Sequence, residues 1–564
     1  MKVGDAIADA LVAEGISLAA GISGQSIGRL LDAIANRNEI KLMYARQERV
    51  AFDICDGFAR ASGKPAVVFT DAGPAAANLM GGLVNSWGDS VPVLFFAGHN
   101  DRSEQANRQT KEIPFVDMFR PVSKWTTIID FPHQTEEVIR RAFMHLTTGR
   151  PGPVVIGMPF DVSGMECEGF SYTPIGSRPR IRGGADPHAV RQACELILSA
   201  RKPYLYVGAG ALFAEATAEL VAFAEALSLP VATTLNGKSV FPETHELSVG
   251  IGGYGRASYG SSAASKLAQE ADVIITIGCG FKRHATQVRP GAGVKHIQVD
   301  VDPTELNRDH LADIALLGDA RIVIQQLHDQ CRAMRAGQSA TAGAYREEIH
   351  TLKREWDEIS RQVLESDEAP INPFRVTAEF RKLVDPDETI VLHDAGTVRG
   401  STSQHYLTTK PKGFIGFGVQ SAMGWSIGAA MGAKAANPGK LVAAFIGEEA
   451  FNETALDVET SIRNDAPILV IVKNNRRYVD TDGGKSKRLA HARFHQGIDI
   501  CALASALGAE AFQISEPSDL SRKLKQAIET VRGGRTAVVD VRTVRINASL
   551  HRLWDPNAKG GRGE

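Results

Sequence analysis

One stretch constrains the fold more than any other: LVAAFIGEEAFNETALDVETSIRNDAPILVIVKNN, from Leu441 to Asn475. Its two apolar runs, residues 441–446 and 468–472, are short and rich in Val and Ile, and read as buried parallel strands. Between them, residues 453–463 carry apolar side chains at helical spacing (Ala455, Val458, Ile462), which predicts a β-α-β unit with a right-handed crossover. Both strands end on polar residues, Gly447-Glu448-Glu449 after the first and Asn474-Asn475 after the second. Open parallel sheets bind ligands at these carboxyl ends. A carboxylate and an amide oxygen meeting there make a hard-oxygen site suited to Mg²⁺, and through it to a diphosphate.

A chain of 564 residues holds enough core for three or four domains. A net charge of −2 argues against nucleic acid or an anionic membrane as the main partner. No run reaches 18 uninterrupted apolar residues, and MKVGDAIADALVAEG at the start reads as an amphipathic helix rather than a signal peptide. Six scattered cysteines without a C-x-x-C pattern fit reduced thiols and a cytoplasmic location.

Alternating strand and helix patterns predict an α/β protein of three doubly wound parallel-sheet domains. The first spans 1–165, with strands at 41–44, 66–69, 91–96 and 154–157. Residues 166–187 lose periodicity and read as a linker. The second, 188–330, has strands at 204–207, 231–234, 273–277 and 296–301, with a weak glycine pair at Gly208 and Gly210. A charged amphipathic helix, 345–365, leads to the third domain at 370–545, where HDAGTVRGSTSQHY (393–406) reads as a loop after a strand at 389–392. Residues 546–564 form a tail or lid.

Gly447-Glu448-Glu449, then 24 residues, then Asn474-Asn475 resembles the thiamin-diphosphate motif, which reads G-D-G, about two dozen residues, N-N. Glu448 stands where that family has Asp, and Glu449 where it has Gly or a small residue. Three patches of the first domain, 45–68, 71–93 and 120–125, resemble the pyrimidine-binding domain of the acetolactate-synthase group. So do 230–255 and 297–303 in the second domain, and GFGVQSAMGWSIGAAMGAKAANPGK in the third. The phrase ALDVETSIR is nearer the branch of oxalyl-CoA decarboxylase and 2-hydroxyacyl-CoA lyase.

The resemblance implies a thiamin-diphosphate-dependent carboligase or lyase. Its metal ligands would be Glu448, the Asn475 side chain and the Arg477 carbonyl. Glu48 would be the catalytic carboxylate: bonded to the cofactor's pyrimidine N1′, it favours the tautomer that removes the thiazolium proton. Gln25 falls at a loop position that faces substrate in relatives, though a turn residue capping a helix reads equally well. Lys111-Glu112 replaces a Gln-Glu pair, and His99 is alone where simple decarboxylases carry paired histidines. The cofactor contacts carried over are Asn78, Gly396, Thr397, Val398, Ala422, Met423, Gly447, Glu449, Ala450 and Tyr478. Met423 falls on the apolar wedge under the cofactor, and core packing accounts for it as well. The central domain would hold FAD, an ADP-like group or nothing. The site would lie between subunits of a homodimer or homotetramer.

Three functions stay open on the sequence. The chain acts on a 2-oxo acid as acetolactate synthases do, or it acts on an acyl-CoA. Alternatively it is a non-catalytic partner subunit with an altered metal motif.

Overall fold

Short Val- and Ile-rich runs build three sheets of six parallel strands each. The structure is a computed structural model and describes residues 1–105, 107, 109–177, 181–252, 260–281, 291, 293–335, 342–476 and 497–544. The first sheet contains β1 (Leu18–Gly21), β2 (Lys41–Tyr44), β3 (Ala66–Thr70), β4 (Val93–His99), β5 (Trp125–Ile128) and β6 (Val154–Pro159), in the order β2-β1-β3-β4-β6-β5. The second contains β7 (Pro203–Val207), β8 (Val231–Thr233), β9 (Ser248–Ile251), β10 (Val273–Ile277), β11 (Lys295–Asp300) and β12 (Ile314–Leu317), ordered β12-β11-β10-β7-β8-β9. The third contains β13 (Thr389–His393), β14 (Phe414–Ile415), β15 (Leu441–Gly447), β16 (Leu469–Asn474), β17 (Glu510–Ile514) and β18 (Ala537–Arg542), ordered β14-β13-β15-β16-β18-β17. The third sheet therefore repeats the strand order of the first. No internal repeat is readable in the residues themselves.

Central strands are buried on both faces, as helices on each side require. Val68 and Phe95 point into one core, while Val67, Phe69 and Phe96 point into another. The first of these cores also takes Val442, Ala444 and Val470 from the third sheet, so the first and third sheets share packing. Helix Glu48–Ser62 and helix Trp425–Ala436 make that junction. Glycines let the two backbones touch: a Cβ added at Gly57 or Gly432 would overlap the facing backbone at Ala429 or Ile54. One at Gly428 would lie 2.7 Å from the Asp53 Cβ.

Several expectations need correcting. The helix after β15 begins at Glu448 rather than Glu453, and runs as Glu448–Thr454, a 3₁₀ turn Ala455–Asp457, then Val458–Arg463. Glu448 and Glu449 are thus its first turn, where acidic residues are favourable. Residues 393–406 are not a loop. His393 ends β13 and a helix spans Thr397–Ser403, entered through Gly396 at φ 79°. Its Gly, Thr and Ser residues, poor helix formers in isolation, hide it from pattern reading. The opening helix Val3–Ala13 buries Gly4 and Ala8 as well as Val3, Ile7 and Leu11, so it is covered on more than one face. Among the described residues, no helix is long and apolar enough to cross a membrane. All six cysteines are free.

Candidate functional site

β15 and β16 pair with Gly447 opposite Lys473, which sets Glu448 beside Asn474 at the carboxyl edge of the third sheet. Glu448 is only 4% exposed, and its Oε2 has no hydrogen-bond partner among the described residues. Burial pushes its carboxyl above the usual range, helped by neighbouring Glu449 and opposed by the Arg476 backbone N–H. The two asparagines divide their roles. Asn474 is tied into the sheet, its Nδ2 donating to Asp540 Oδ1 at 2.9 Å and its Oδ1 accepting from Arg476 N at 3.0 Å. Asn475 follows at the half-buried edge. Arg477 and Tyr478 lie outside the described residues.

The neighbouring segments close around this edge. A Cβ on Gly447 would sit 3.7 Å from Val398 Cγ2, so the turn after β15 faces the Gly396–Thr397–Val398 entry of the next helix. Asp394, fully buried, holds a second turn in place. Its Oδ1 accepts from Ala395 N at 2.8 Å and Gly424 N at 3.0 Å, and its Oδ2 from Ser426 N at 2.9 Å. That turn carries Ala422 and Met423, with Ser421 at φ 53° and Gly424 at φ 80°. Met423 is half-buried against the shared core. Ala450, inside the helix that Glu448 opens, is buried below it.

Glu48 opens the helix that packs on Trp425–Ala436. Its Oε2 accepts from Asn78 Nδ2 at 3.2 Å. The adjacent Arg49 donates through Nη2 to the Met423 carbonyl, so the Glu48 end of one domain meets the Met423 turn of another. Gln25 is exposed in a 3₁₀ turn after β1, next to Ser26, which is fixed by Asp71 through both its backbone N–H (3.0 Å) and its hydroxyl. Lys111 Nζ lies 2.5 Å from the same carboxylate. Glu112 Oε2 accepts from Gln109 N at 3.1 Å.

The residues the sequence reasoning missed are Asp394, Arg49 and Asp53. Asp394 had a signal, a lone acid directly after a buried strand. Arg49 and Asp53 had none beyond helical spacing.

Family models of thiamine pyrophosphate enzymes match in order along the chain: the N-terminal TPP binding domain over 1–118, the central domain over 190–327 and the C-terminal TPP binding domain over 394–541. A probable acetolactate synthase large subunit of Methanocaldococcus jannaschii is 32% identical over 546 residues, covering 94% of this chain and 90% of the relative. This chain belongs to the thiamin-diphosphate-dependent enzymes and is acetolactate-synthase-like. Acetolactate synthase isozyme 3 large subunit of Escherichia coli is 29% identical, covering 98% of this chain and 96% of the relative. The large subunit of Mycobacterium tuberculosis is 28% identical, with 91% and 84% covered. As a member of this family the chain is a thiamin-diphosphate-dependent enzyme. Its N-terminal matched domain carries Glu48 and Asn78, and its C-terminal one carries Met423 and Glu448.

A cleft of about 160 Å³ opens at the carboxyl ends of β7 and β10, where the strand order reverses, and is lined as well by Asp89, Ser90 and Arg150 of the first domain and Gly418 and Val419 of the third. Gly208, Gly210 and Gly278 pack so closely that a Cβ on Gly210 would meet Gly278 Cα at 2.6 Å. Asp300 at the end of β11 lines the same cleft, its carboxyl pushed up to about 6 by burial.

Proposed function

We propose that the chain forms or cleaves a C–C bond beside the carbonyl of a 2-oxo acid, as an acetolactate-synthase-like carboligase or lyase. The observation carrying this reading is the buried Glu448 carboxylate at the carboxyl edge of the third sheet, whose Oε2 has no hydrogen-bond partner among the described residues. Thiamin diphosphate, when bound, supplies a nucleophilic carbon and an electron sink for the carbons beside a carbonyl. Glu48, which accepts from Asn78 Nδ2, would be the carboxylate that bonds to the pyrimidine N1′ of the cofactor. Met423, half-buried against the shared core, would give the cofactor an apolar support.

Glu448, with the Asn475 side chain and the Arg477 carbonyl, is the proposed Mg²⁺ set. The unpartnered buried Oε2 of Glu448 supports it, since a buried carboxylate oxygen calls for a cation or a donor. No cluster of three or more His, Cys, Asp or Glu able to hold a metal occurs among the described residues, and the proposed set asks for one carboxylate only. The Gly396–Val398 segment and Gly447, Glu449 and Ala450 would border the diphosphate. FAD or an ADP-like group is the proposed occupant of the cleft at β7 and β10, which lies at the point where the strand order of the second sheet reverses.

The acyl-CoA reading gains no support. Arg399, its one candidate cation among the described residues, is buried, donates to Ser421 Oγ at 2.7 Å and stacks over Phe417. Lys282, Arg283, Arg552 and Arg562 lie outside the described residues. The intact Glu48–Asn78 pair and the buried Glu448 weigh against a non-catalytic partner subunit.

A panel of 2-oxo acids and acyl-CoAs, with thiamin diphosphate and Mg²⁺, tests the proposal. Turnover of pyruvate or another 2-oxo acid supports it, whereas turnover of acyl-CoAs alone overturns it. A homodimer or homotetramer sharing each site between copies is part of the same proposal. Mixing Glu48→Gln with Glu448→Gln, each inactive alone, restores activity if the site is shared and none if it is not.

A further inference from the structure

The first sheet also reverses its strand order. β1 has β2 on one side and β3 on the other, and an open parallel sheet binds ligands in the crevice at the carboxyl ends of such strands. Two turns wall this crevice, residues 24–26 after β1 and residues 71–73 after β3. They touch, since a Cβ on Gly24 would lie 2.2 Å from Asp71 Cγ. Asp71 Oδ1 accepts from Ser26 N at 3.0 Å and from the Ser26 hydroxyl. Lys111, arriving from the segment after β4, completes the group with Nζ 2.5 Å from Asp71 Oδ2.

Lys111 is held there at a conformational cost. Its backbone is left-handed at φ 69°, which few non-glycine residues adopt, and such strain collects at functional sites. It lies directly on Gly73, where an added Cβ would meet Lys111 Cα, Cβ and the carbonyl oxygen, each at 2.7 Å. Gly73 is the N-cap of helix Pro74–Asn78, whose last residue donates to Glu48. At 1.5 Å per residue this helix is about 7.5 Å long, with Lys111 at one end and Glu48 at the other. All of these residues belong to the first domain of one chain. They therefore face one site together, whichever copy supplies the third domain.

An ammonium has three donors, and Asp71 takes one. The Lys111 side chain is 37% exposed and Asp71 only 15%, so the carboxylate anchors the ammonium from beneath and leaves its other donors open to a ligand. A 2-oxo acid brings a carboxylate of its own, which takes charge-assisted hydrogen bonds from such a group.

We propose that Lys111 is a specificity-determining residue whose ammonium, fixed by Asp71, takes the carboxylate of the 2-oxo acid at the β1/β3 crevice. The inference rests on the 2-oxo acid reading and adds the group that binds the acid. An ion pair that only braced the two turns would hold the fold and leave substrate affinity alone.

Steady-state kinetics of the full-length protein with saturating thiamin diphosphate and Mg²⁺, and with pyruvate varied, separate the two. Lys111→Gln keeps a polar side chain and removes the charge. It is expected to raise the KM for pyruvate at least about tenfold while kcat changes less than threefold, the pattern of lost uniform binding. Lys111→Arg restores the charge and is expected to bring KM back to within threefold of wild type. Proton exchange at C2 of bound thiamin diphosphate, followed by NMR without substrate, should differ less than twofold between Lys111→Gln and wild type. An unchanged KM in Lys111→Gln overturns the inference. So does a raised KM that Lys111→Arg does not lower, or one accompanied by an equal slowing of C2 exchange. If Lys111→Gln does not fold, Lys111→Met is read the same way. A wild-type protein that turns over no 2-oxo acid contradicts the proposed function and the inference with it. Wild-type turnover with an unmoved KM in the variant contradicts the inference alone.

Discussion

Asn78 Nδ2 lies 3.2 Å from Glu48 Oε2, so the candidate catalytic carboxylate has a neutral donor that orients it. The pair joins the start of one helix to the end of the short helix Pro74–Asn78 in the same domain. A charged partner at this distance would change the chemistry. Asn78→Asp removes the donor and sets a second carboxylate beside Glu48, so kcat is expected to fall at least about tenfold, with Asn78→Ala falling less. An unchanged kcat in Asn78→Asp would mean that this pair does not orient the catalytic group.

Glu448 is expected to control cofactor binding through the metal. Glu448→Gln keeps the shape and removes the charge, so thiamin diphosphate affinity in the presence of Mg²⁺ should fall at least about tenfold, roughly 1.4 kcal/mol. The affinity without Mg²⁺ should be the same in both proteins. Calorimetry with and without the metal checks this. Equal metal dependence in wild type and variant would remove Glu448 from the metal site.

The glycine contacts between the Glu48 and Trp425 helices predict a strong local intolerance of size. Gly432→Ala places a methyl group onto the Ile54 carbonyl, and overpacking of this kind costs about 1–3 kcal/mol. Gly439→Ala, where nothing lies within 4 Å of the added methyl, serves as the control. Thermal unfolding should separate the two clearly. Equal melting temperatures would contradict the close packing.

Asp53 sits in that same junction, fully buried, with neither carboxylate oxygen hydrogen-bonded among the described residues. Burial pushes its carboxyl up to about 8; Arg49 opposes the shift, and Asp56, Asp394 and Asp457 add to it. A folded-state value above the unfolded one means the folded protein holds a proton that the unfolded chain releases. That contribution to stability is fully present below about pH 4, the unfolded range, and fades as pH rises towards 8. Asp53→Asn removes the titration. Its melting temperature relative to wild type should therefore rise steadily from pH 5 to pH 8. A constant difference across that range would contradict the assignment.

How much of this was legible in the residues depends on locality. β15 and β16 were readable because runs such as Ile468–Val472 are apolar throughout, as a strand covered on both faces must be. The two-residue β14 and the four-residue β5 were not, since so short a strand is set by its neighbours in the sheet. The Asn474-Asn475 pair is two identical letters. Only the bond from Asn474 to Asp540 shows which one is tied into the sheet, and that partner lies 66 residues away. Arg49 and Met423, 374 residues apart, meet only because two domains pack through glycines. The family motifs located Glu48 and Glu448, and the fold alone supplies Arg49, Asp53 and Asp394 around them.

The most direct test of the account is the rate of proton exchange at C2 of bound thiamin diphosphate, followed by NMR in wild type and in Glu48→Gln. Proton transfer by a positioned group contributes about 10²–10⁴-fold, so Glu48→Gln should slow exchange by that factor while the cofactor stays bound. Equal exchange rates in the two proteins would contradict the account, leaving Glu48 as a charge at the start of a helix.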